Sequence, residues 1–469
     1  MKNEKLPKGI ISISLILVLG ALPPMLDATI VNIAVNDLAK LFSTTFAVIQ
    51  WVITGYTLAL GIAVPFSGWL MQKFDGKKIF MGALGLFLLA SILSGAAWNI
   101  QSLIGFRVLQ GFASGLLIPT LTTMIVRLAG AENLGRLMSI VGIPIVFGPI
   151  IGPIIGGLIM KHLTWHWLFF VNLPIGIIAL LLMQWKLPKF EAADTKAKMD
   201  WLGIILLGLT SGMFIYGVTK IKGSGNSVTG VVSIVIGAVS IMTYIFYAWR
   251  RKEHALIPLK LFQSKNFCAS FVSLFLAGFA TNGPMLLFPL FFQNVRGLSV
   301  ITSALWLIPQ GAGMLITRSL VGKMTDKLGA RLVVLPSIAI TIIGTLPFIF
   351  FDTNTSQWLI WLVLLLRGMG VGGVTIPVMS DSYAGLEKTQ IAQASVSTRI
   401  IQNIGAAFGS AILATVVSNF MSGKAATAAN LSGSFHAGFM TSLIFMAVSI
   451  IPALFLSNKI KQKNKAEIR

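Results

Sequence analysis

Fourteen apolar runs of about 20 residues, each bounded by charge or turn signals, succeed one another along the chain. They begin near Ile10, Ala47, Ile79, Gln101, Leu137, Leu168, Trp201, Val228, Phe267, Thr302, Leu332, Gln357, Val396 and Ala437. A run of that length crosses the hydrocarbon core of a bilayer as a helix, and in lipid every backbone polar group must be satisfied internally. The chain is therefore confined to an all-α bundle of membrane-spanning helices. Its charged fraction of 11% is well below the about 25% of a soluble domain. The runs entered at Trp165–Asn172 and at Trp201 are the shortest and leave a re-entrant reading open. Met1–Gly20 has the charged and apolar regions of a signal peptide. No small-residue cleavage site follows, and the apolar stretch continues past Pro23 and Pro24, so this segment reads as a retained first helix.

In a soluble protein a net charge of +22 would suggest nucleic acid, but here the sign is first tested against the loops. With a cytoplasmic amino terminus, twenty-seven of the 36 basic residues fall on inner loops or tails. Six fall on outer loops: Lys40, Lys161, Lys220, Lys222, Arg296 and Lys424. That asymmetry places both termini in the cytoplasm and removes the need for a nucleic-acid partner. Arg107, Arg318 and Arg367 lie inside spans.

The single cysteine, Cys268, excludes an intrachain disulfide or a thiolate cluster. His162 and His166 have the i, i+4 spacing of a metal pair but no carboxylate or thiolate beside them, so neither metal nor cofactor is expected. No Gly-x-x-x-x-Gly-Lys-Ser/Thr phosphate loop occurs, which argues against ATP as energy source. The chain does not read as an enzyme, and an ion gradient remains to drive any transport.

Two segments recur. Gly68–Lys78 after the second span resembles Gly322–Arg331 after the tenth, and Arg107–Pro119 is echoed by Arg367–Pro377. Both pairs face the same way, which implies two parallel six-helix halves around a cavity, 1–186 and 256–469, with a charged cytoplasmic linker and two extra spans, 187–255, inserted between them.

These residues resemble the major facilitator superfamily, and within it the fourteen-helix drug:proton antiporters. Leu26-Asp-Ala-Thr-Ile-Val-Asn32 is similar to the first-helix signature of that group, and Gly68–Lys78 to the loop motif after helix two. Leu103–Gly111 resembles the helix-four motif, Gly148–Gly157 the antiporter motif of helix five, and Trp165–Gly176 the entry to helix six. The chain departs from the pattern at Gln72, where an acid is expected, at Asp75, where glycine is usual, at His166, where arginine is common, and at the Pro23-Pro24 pair. The second loop copy keeps Asp326. The resemblance implies export of amphiphilic, cationic compounds in exchange for protons by a monomer. It also implies switch loops at Gly68, Gln72, Asp75, Gly322, Asp326 and Arg331. A leak-preventing seam between the halves is implied at Gly148, Pro149, Gly152, Pro153, Gly156 and Gly157.

Proton coupling needs a carboxylate in a dry cavity, and of the 14 acids only Asp27 lies clearly within a span, with Asp381 near the inner end of span twelve. Helical rise places Asp27 about 13 Å and Arg107 about 10 Å below the outer surface, so the two are expected to pair across helices one and four. The same pair also reads as a pin that only holds those helices together. Polar and aromatic residues that could face cargo are Gln50, Trp51, Tyr56, Gln110, Asn282, Trp306, Gln310, Gln402 and Asn403, with helix packing or lipid contact an equal reading for each. A transporter of a dedicated endogenous solute, or a non-transporting receptor on the same fold, remain the competing functions.

Overall fold

The computed structural model describes residues 8–191, 199–220, 227–252, 255–386, 388–421, 425 and 427–458. The side chains of 8, 72, 126–127, 129–150, 227, 282, 318–319, 323, 326, 388–389, 391–392 and 428 lie outside that description. Every regular element among the described residues is helical. The chain opens with α1 (Lys8–Ile30), α2 (Val35–Leu41), α3 (Phe46–Ile49), α4 (Trp51–Lys73), α5 (Gly76–Gly95), α6 (Ile100–His162), α7 (Trp167–Phe170) and α8 (Asn172–Lys186). It continues with α9 (Trp201–Lys220), α10 (Ser227–Arg251), α11 (Lys265–Asn294), α12 (Val300–Leu305) and α13 (Ile308–Leu328). The last five are α14 (Ala330–Ile343), α15 (Gln357–Gly372), α16 (Thr375–Asp381), α17 (Lys388–Met421) and α18 (Ala428–Ala453).

Thirteen helices among the described residues are long and apolar enough to cross a membrane. Each coincides with an expected span; the fourteenth, expected from Leu137, falls within α6 and largely on undescribed side chains. The path of α6 supplies that crossing. Arg107 and Gly152 are about 45 positions apart, or about 68 Å of straight helix, yet both lie against residues 26–30 of α1. The helix must therefore double back, which makes its two arms antiparallel neighbours.

The chain forms two compact units: Met1–Ser43 with Gly55–Met199, and Thr44–Thr54 with Asp200–Arg469. In the first, Phe80, Phe87, Leu117 and Met183 of α5, α6 and α8 pack around Leu17 and Ala21 of α1. In the second, aromatic rings fill the space between α11, α18 and the Leu346–Ile349 turn: Phe288 lies 4.8 Å from Phe348 and 5.2 Å from Phe439. The pair α9 and α10 packs on itself and reaches the rest of its unit mainly through α17 and the segment before α11.

Lipid offers helices no hydrophobic reward for associating, so close backbone approach at small residues carries much of the packing. Gly111 lies on the backbone of Tyr56 and Gly152 on that of Leu26; about 255 residues later Gly368 lies on Gln310 and Gly409 on Phe279. The sequence repeat is thus also a repeat of helix contacts.

Caps fix the helix starts. Asn99 and Ser102 form a reciprocal capping box on α6, with bonds of 2.8 and 3.2 Å. Asp75 caps α5 through the Lys77 amide at 2.8 Å and also accepts from the Phe190 amide at 3.1 Å. Lys77 Nζ then donates to the carbonyls of Gln184 and Leu187 at the end of α8, both at 2.9 Å, where unpaired carbonyls and the helix dipole favour a cation. The α4–α5 loop is in this way clamped to α8. Replacing Asp75 with alanine is expected to cost about 1–2 kcal/mol, read as a lower unfolding midpoint of the detergent-purified protein. An unchanged midpoint would show that neither bond is formed.

Candidate functional site

A polar cluster buried in the first unit joins five elements. Arg107, on the second turn of α6, donates from Nη1 to Asp27 Oδ2 on α1 at 2.5 Å. The other carboxylate oxygen accepts from Gln110 Nε2 at 3.1 Å and from Asn172 Nδ2, at the start of α8, at 3.3 Å. Arg107 Nη1 also donates to Gln110 Oε1 at 2.7 Å, and Gln110 Nε2 to Ser91 Oγ of α5 at 2.7 Å. The guanidinium lies 4.1 Å from the centre of the Tyr56 ring on α4 and 5.7 Å from that of Phe169 on α7. The Tyr56 hydroxyl donates to Ser114 Oγ at 2.9 Å. Asp27, Gln110 and Asn172 are fully buried and Arg107 is 1% exposed.

The chemistry follows from charge in a low dielectric. An ionised Asp27 opposite Arg107 leaves the cluster neutral, and three N–H donors satisfy the carboxylate. A proton on Asp27 would leave one positive charge uncompensated and turn an acceptor into a donor facing donors.

The glycine run of helix five supports this cluster directly. A Cβ at Gly152 would collide with Thr29 Oγ1 and lie 2.9 Å from the Leu26 carbonyl; one at Gly156 would lie 2.7 Å from the Ile30 carbonyl. The structure sets Gly152 and Gly156 against α1, on the turn that carries Asp27. Absence of side chains is what lets the second arm of α6 reach that turn. Pro153 and Gly157 are buried beside them, while the side-chain positions of Gly148 and Pro149 lie outside the described residues.

The remaining expected residues are dispersed. Tyr56 and Gln110, expected among cargo contacts, are buried within the ion-pair cluster. In the second unit Gln50 is fully buried, with neither amide atom paired among the described residues, and Gln310 Oε1 is likewise without a partner. The Trp51 ring lies 6.4 Å from that of Tyr216, and Trp306 packs edge-on to Phe292 at 5.3 Å under the Arg296 guanidinium. Gln402 and Asn403 are partly buried on α17, with the Gln402 carbonyl held against Gly278. Gly68 and Gly322 have open space where a Cβ would be, and the Arg331 amide donates to the Ser457 carbonyl at 3.0 Å. The side chains of Gln72, Asn282 and Asp326 lie outside the described residues. Asp381 accepts from the Ser457 amide at 3.2 Å and from the Ser457 and Ser270 hydroxyls, tying the end of α18 to α16 and α11.

Three partners escaped the sequence reading: Ser91, Ser114 and Asn172. Arg107, Gln110 and Ser114 lie at i, i+3 and i+7, one face of a helix, which was a usable signal for Ser114. Nothing in the sequence orients Ser91. The counterpart of Arg107 in the second unit, Arg367, is also fully buried. It donates from Nε to Thr345 Oγ1 and from Nη2 to the Ala280 carbonyl, both at 3.2 Å, and stacks 4.7 Å from the Phe288 ring. No acid among the described residues pairs with it, and its Nη1 has no partner there.

Residues 17–410 match the family model of the Major Facilitator Superfamily, and the chain belongs to that family. It is 32% identical over 418 residues to the multidrug resistance protein B homolog of Mycobacterium tuberculosis, covering 88% of this chain and 77% of that protein. It is 28% identical over 444 residues to the lincomycin resistance protein LmrB of Listeria monocytogenes, covering 92% and 93%. Among solved structures it superposes on a D-xylose-proton symporter with a TM-score of 0.68 at 16% identity, over 95% of this chain and 97% of that one. The nucleoside transporter NupG gives 0.68 at 12%, over 94% and 99%. The fold is thus the major facilitator fold, and the protein is a multi-pass membrane transporter.

The glycine geometry separates two kinds of substitution. Gly152→Ala is expected to lower the unfolding midpoint in detergent, by about 1–3 kcal/mol of overpacking, and Gly152→Leu more so. Gly68→Ala, with no atom within 4 Å of the new carbon, is expected to leave it unchanged or higher. Equal midpoints for Gly152→Ala and wild type would show that α1 and the second arm of α6 are not in backbone contact.

Proposed function

We propose that this transporter is a proton-coupled exporter of amphiphilic compounds carrying at most one positive charge, working outward across a bacterial cytoplasmic membrane with both termini inside. The observation that carries the reading is Asp27, fully buried and hydrogen-bonded to Arg107, Gln110 and Asn172, the one carboxylate of the sequence set deep within a span. Relatives named for multidrug and lincomycin resistance support the export of foreign compounds. The excess of basic residues on alternate loops supports the orientation.

Competition for one carboxylate is sufficient for exchange. A cation near Asp27 favours its ionised form and expels the proton; a proton arriving from outside disfavours the cation by the same coupling free energy. Exchanging one proton for one monovalent cation moves no net charge, so the pH difference alone drives it, about tenfold in concentration ratio per pH unit. Gln110 and Asn172 hold the carboxylate in place, and Ser91, bonded to Gln110, offers a hydroxyl that can turn as the charge changes. The cluster offers a single carboxylate, already partly neutralised by Arg107, so a second positive charge on the cargo would lack compensation.

Asp27→Asn in liposomes is expected to abolish accumulation against a pH gradient, and Arg107→Lys to impair it less than Arg107→Ala, which loses both the charge and the stack on Tyr56. Uphill movement by Asp27→Asn would place coupling elsewhere, with Asp381 the next acid to replace. Monovalent lipophilic dyes are expected to be exported in preference to divalent ones; the reverse order would contradict the charge assignment. In a Cys268→Ser background, cysteines at Lys40 and Lys220 are expected to label from outside and one at Lys327 only after permeabilisation.

A further inference from the structure

The inserted helices α9 and α10 leave two adjoining cavities in the second unit that the export reading does not use. The first, of about 410 Å³, is lined by Phe214 of α9, Ile241 of α10, Phe271 and Phe275 of α11, and Phe408 of α17. It has the size of a small-molecule pocket. Its few polar groups are engaged within the protein: the hydroxyls of Thr210 and Ser211 donate to the carbonyls of Leu206 and Leu207 at 2.7 and 2.9 Å. That of Tyr244 bonds the backbone of Ile257. Nothing in the lining asks for water or a polar ligand, and the helices around it are spans, so the medium at its mouth is hydrocarbon.

Leu259 lines this cavity and also the second, of about 480 Å³, at the carboxyl end of α10. There the walls are cationic: Arg251, Lys252 and Lys260, with Trp249 beside them. Trp249 is 66% exposed, as expected of a tryptophan at headgroup depth. Residues 250–265 carry five cations against one acid, Glu253, which lies outside the described residues. The floor shared by both cavities is held in place. Asp200 accepts from the amides of Gly203 at 3.1 Å and Leu256 at 2.8 Å and from the Tyr247 hydroxyl, pinning the Leu256 segment to the starts of α9 and the end of α10.

An apolar chamber that opens beside a basic one at the membrane surface fits an amphiphile with a hydrocarbon tail and an anionic head. We infer that α9, α10 and the 255–263 segment bind one anionic phospholipid, with its phosphate among Arg251, Lys252 and Lys260 and an acyl chain in the apolar cavity. A cationic cargo is repelled by the three basic residues, and an uncharged apolar compound would make no use of them. The site is separate from the Asp27 cluster and its existence does not depend on what is exported.

The test is native mass spectrometry of the full-length protein, delipidated in detergent and titrated with phosphatidylglycerol, phosphatidylcholine, glycerol phosphate or a cationic lipid of the same chain length. One phosphatidylglycerol is expected to bind in preference to the other three. Lys252→Gln combined with Lys260→Gln is expected to weaken it about thirty-fold, at about 1 kcal/mol per charge. Ser211→Trp, which fills the apolar cavity, is expected to weaken it while leaving glycerol phosphate unaffected. Equal binding of phosphatidylcholine or the cationic lipid, glycerol phosphate binding as tightly as phosphatidylglycerol, or wild-type affinity in the folded lysine double variant would overturn the assignment.

Discussion

The first unit is organised around two opposite charges that water cannot reach. A buried charge inside hydrocarbon is costly unless it finds partners, and removing one member of a buried pair typically costs about 3–5 kcal/mol because the other is left alone. Asp27 and Arg107 each lower the cost of burying the other, and the surrounding chain holds them at 2.5 Å. Gln110 and Asn172 take up the second carboxylate oxygen, while Tyr56 and Phe169 present aromatic faces to the guanidinium. Gly152 and Gly156 let the returning arm of α6 lie on the same turn of α1, so the packing seam and the acid are one structure rather than two.

The second unit repeats the helix contacts of the first but not its charge balance. Arg367 occupies the place of Arg107, and its donors meet a threonine hydroxyl and a carbonyl instead of a carboxylate. Neutral acceptors and the Phe288 ring stabilise a cation less than an anion does, but they do not change with pH. The two copies of one architecture thus differ in how a buried arginine is compensated, by a carboxylate in the first unit and by neutral acceptors in the second.

Of the inserted pair, α10 is the least buried of the described spans. Val228, Met242 and Trp249 of α10 are 72%, 69% and 66% exposed, and the gap behind α9 and α10 is apolar. Helices in lipid gain little from burying one more leucine, so such a gap need not close on itself as it would in water. The bilayer can supply the filling, which makes lipid composition a variable of this unit's structure.

The sequence by itself determined the helical class, the spans, the repeat and the acid. Twenty-residue apolar runs leave a chain in lipid no other backbone solution, and the scarcity of acids makes Asp27 conspicuous without any coordinates. Helical rise also put Asp27 and Arg107 at similar depth, because depth along a straight helix is one-dimensional. Rotation about the helix axis is not, and there the sequence was silent. It was the tertiary structure that turned Gln110 and Tyr56 toward the ion pair, brought Ser91 and Asn172 to them from other helices, and gave Arg367 neutral acceptors. Gly152 shows the same division: its spacing announced a close helix contact, but only the folding back of α6 decided that the contact is with α1, since a partner helix is chosen by three-dimensional packing and not by the period of the small residues.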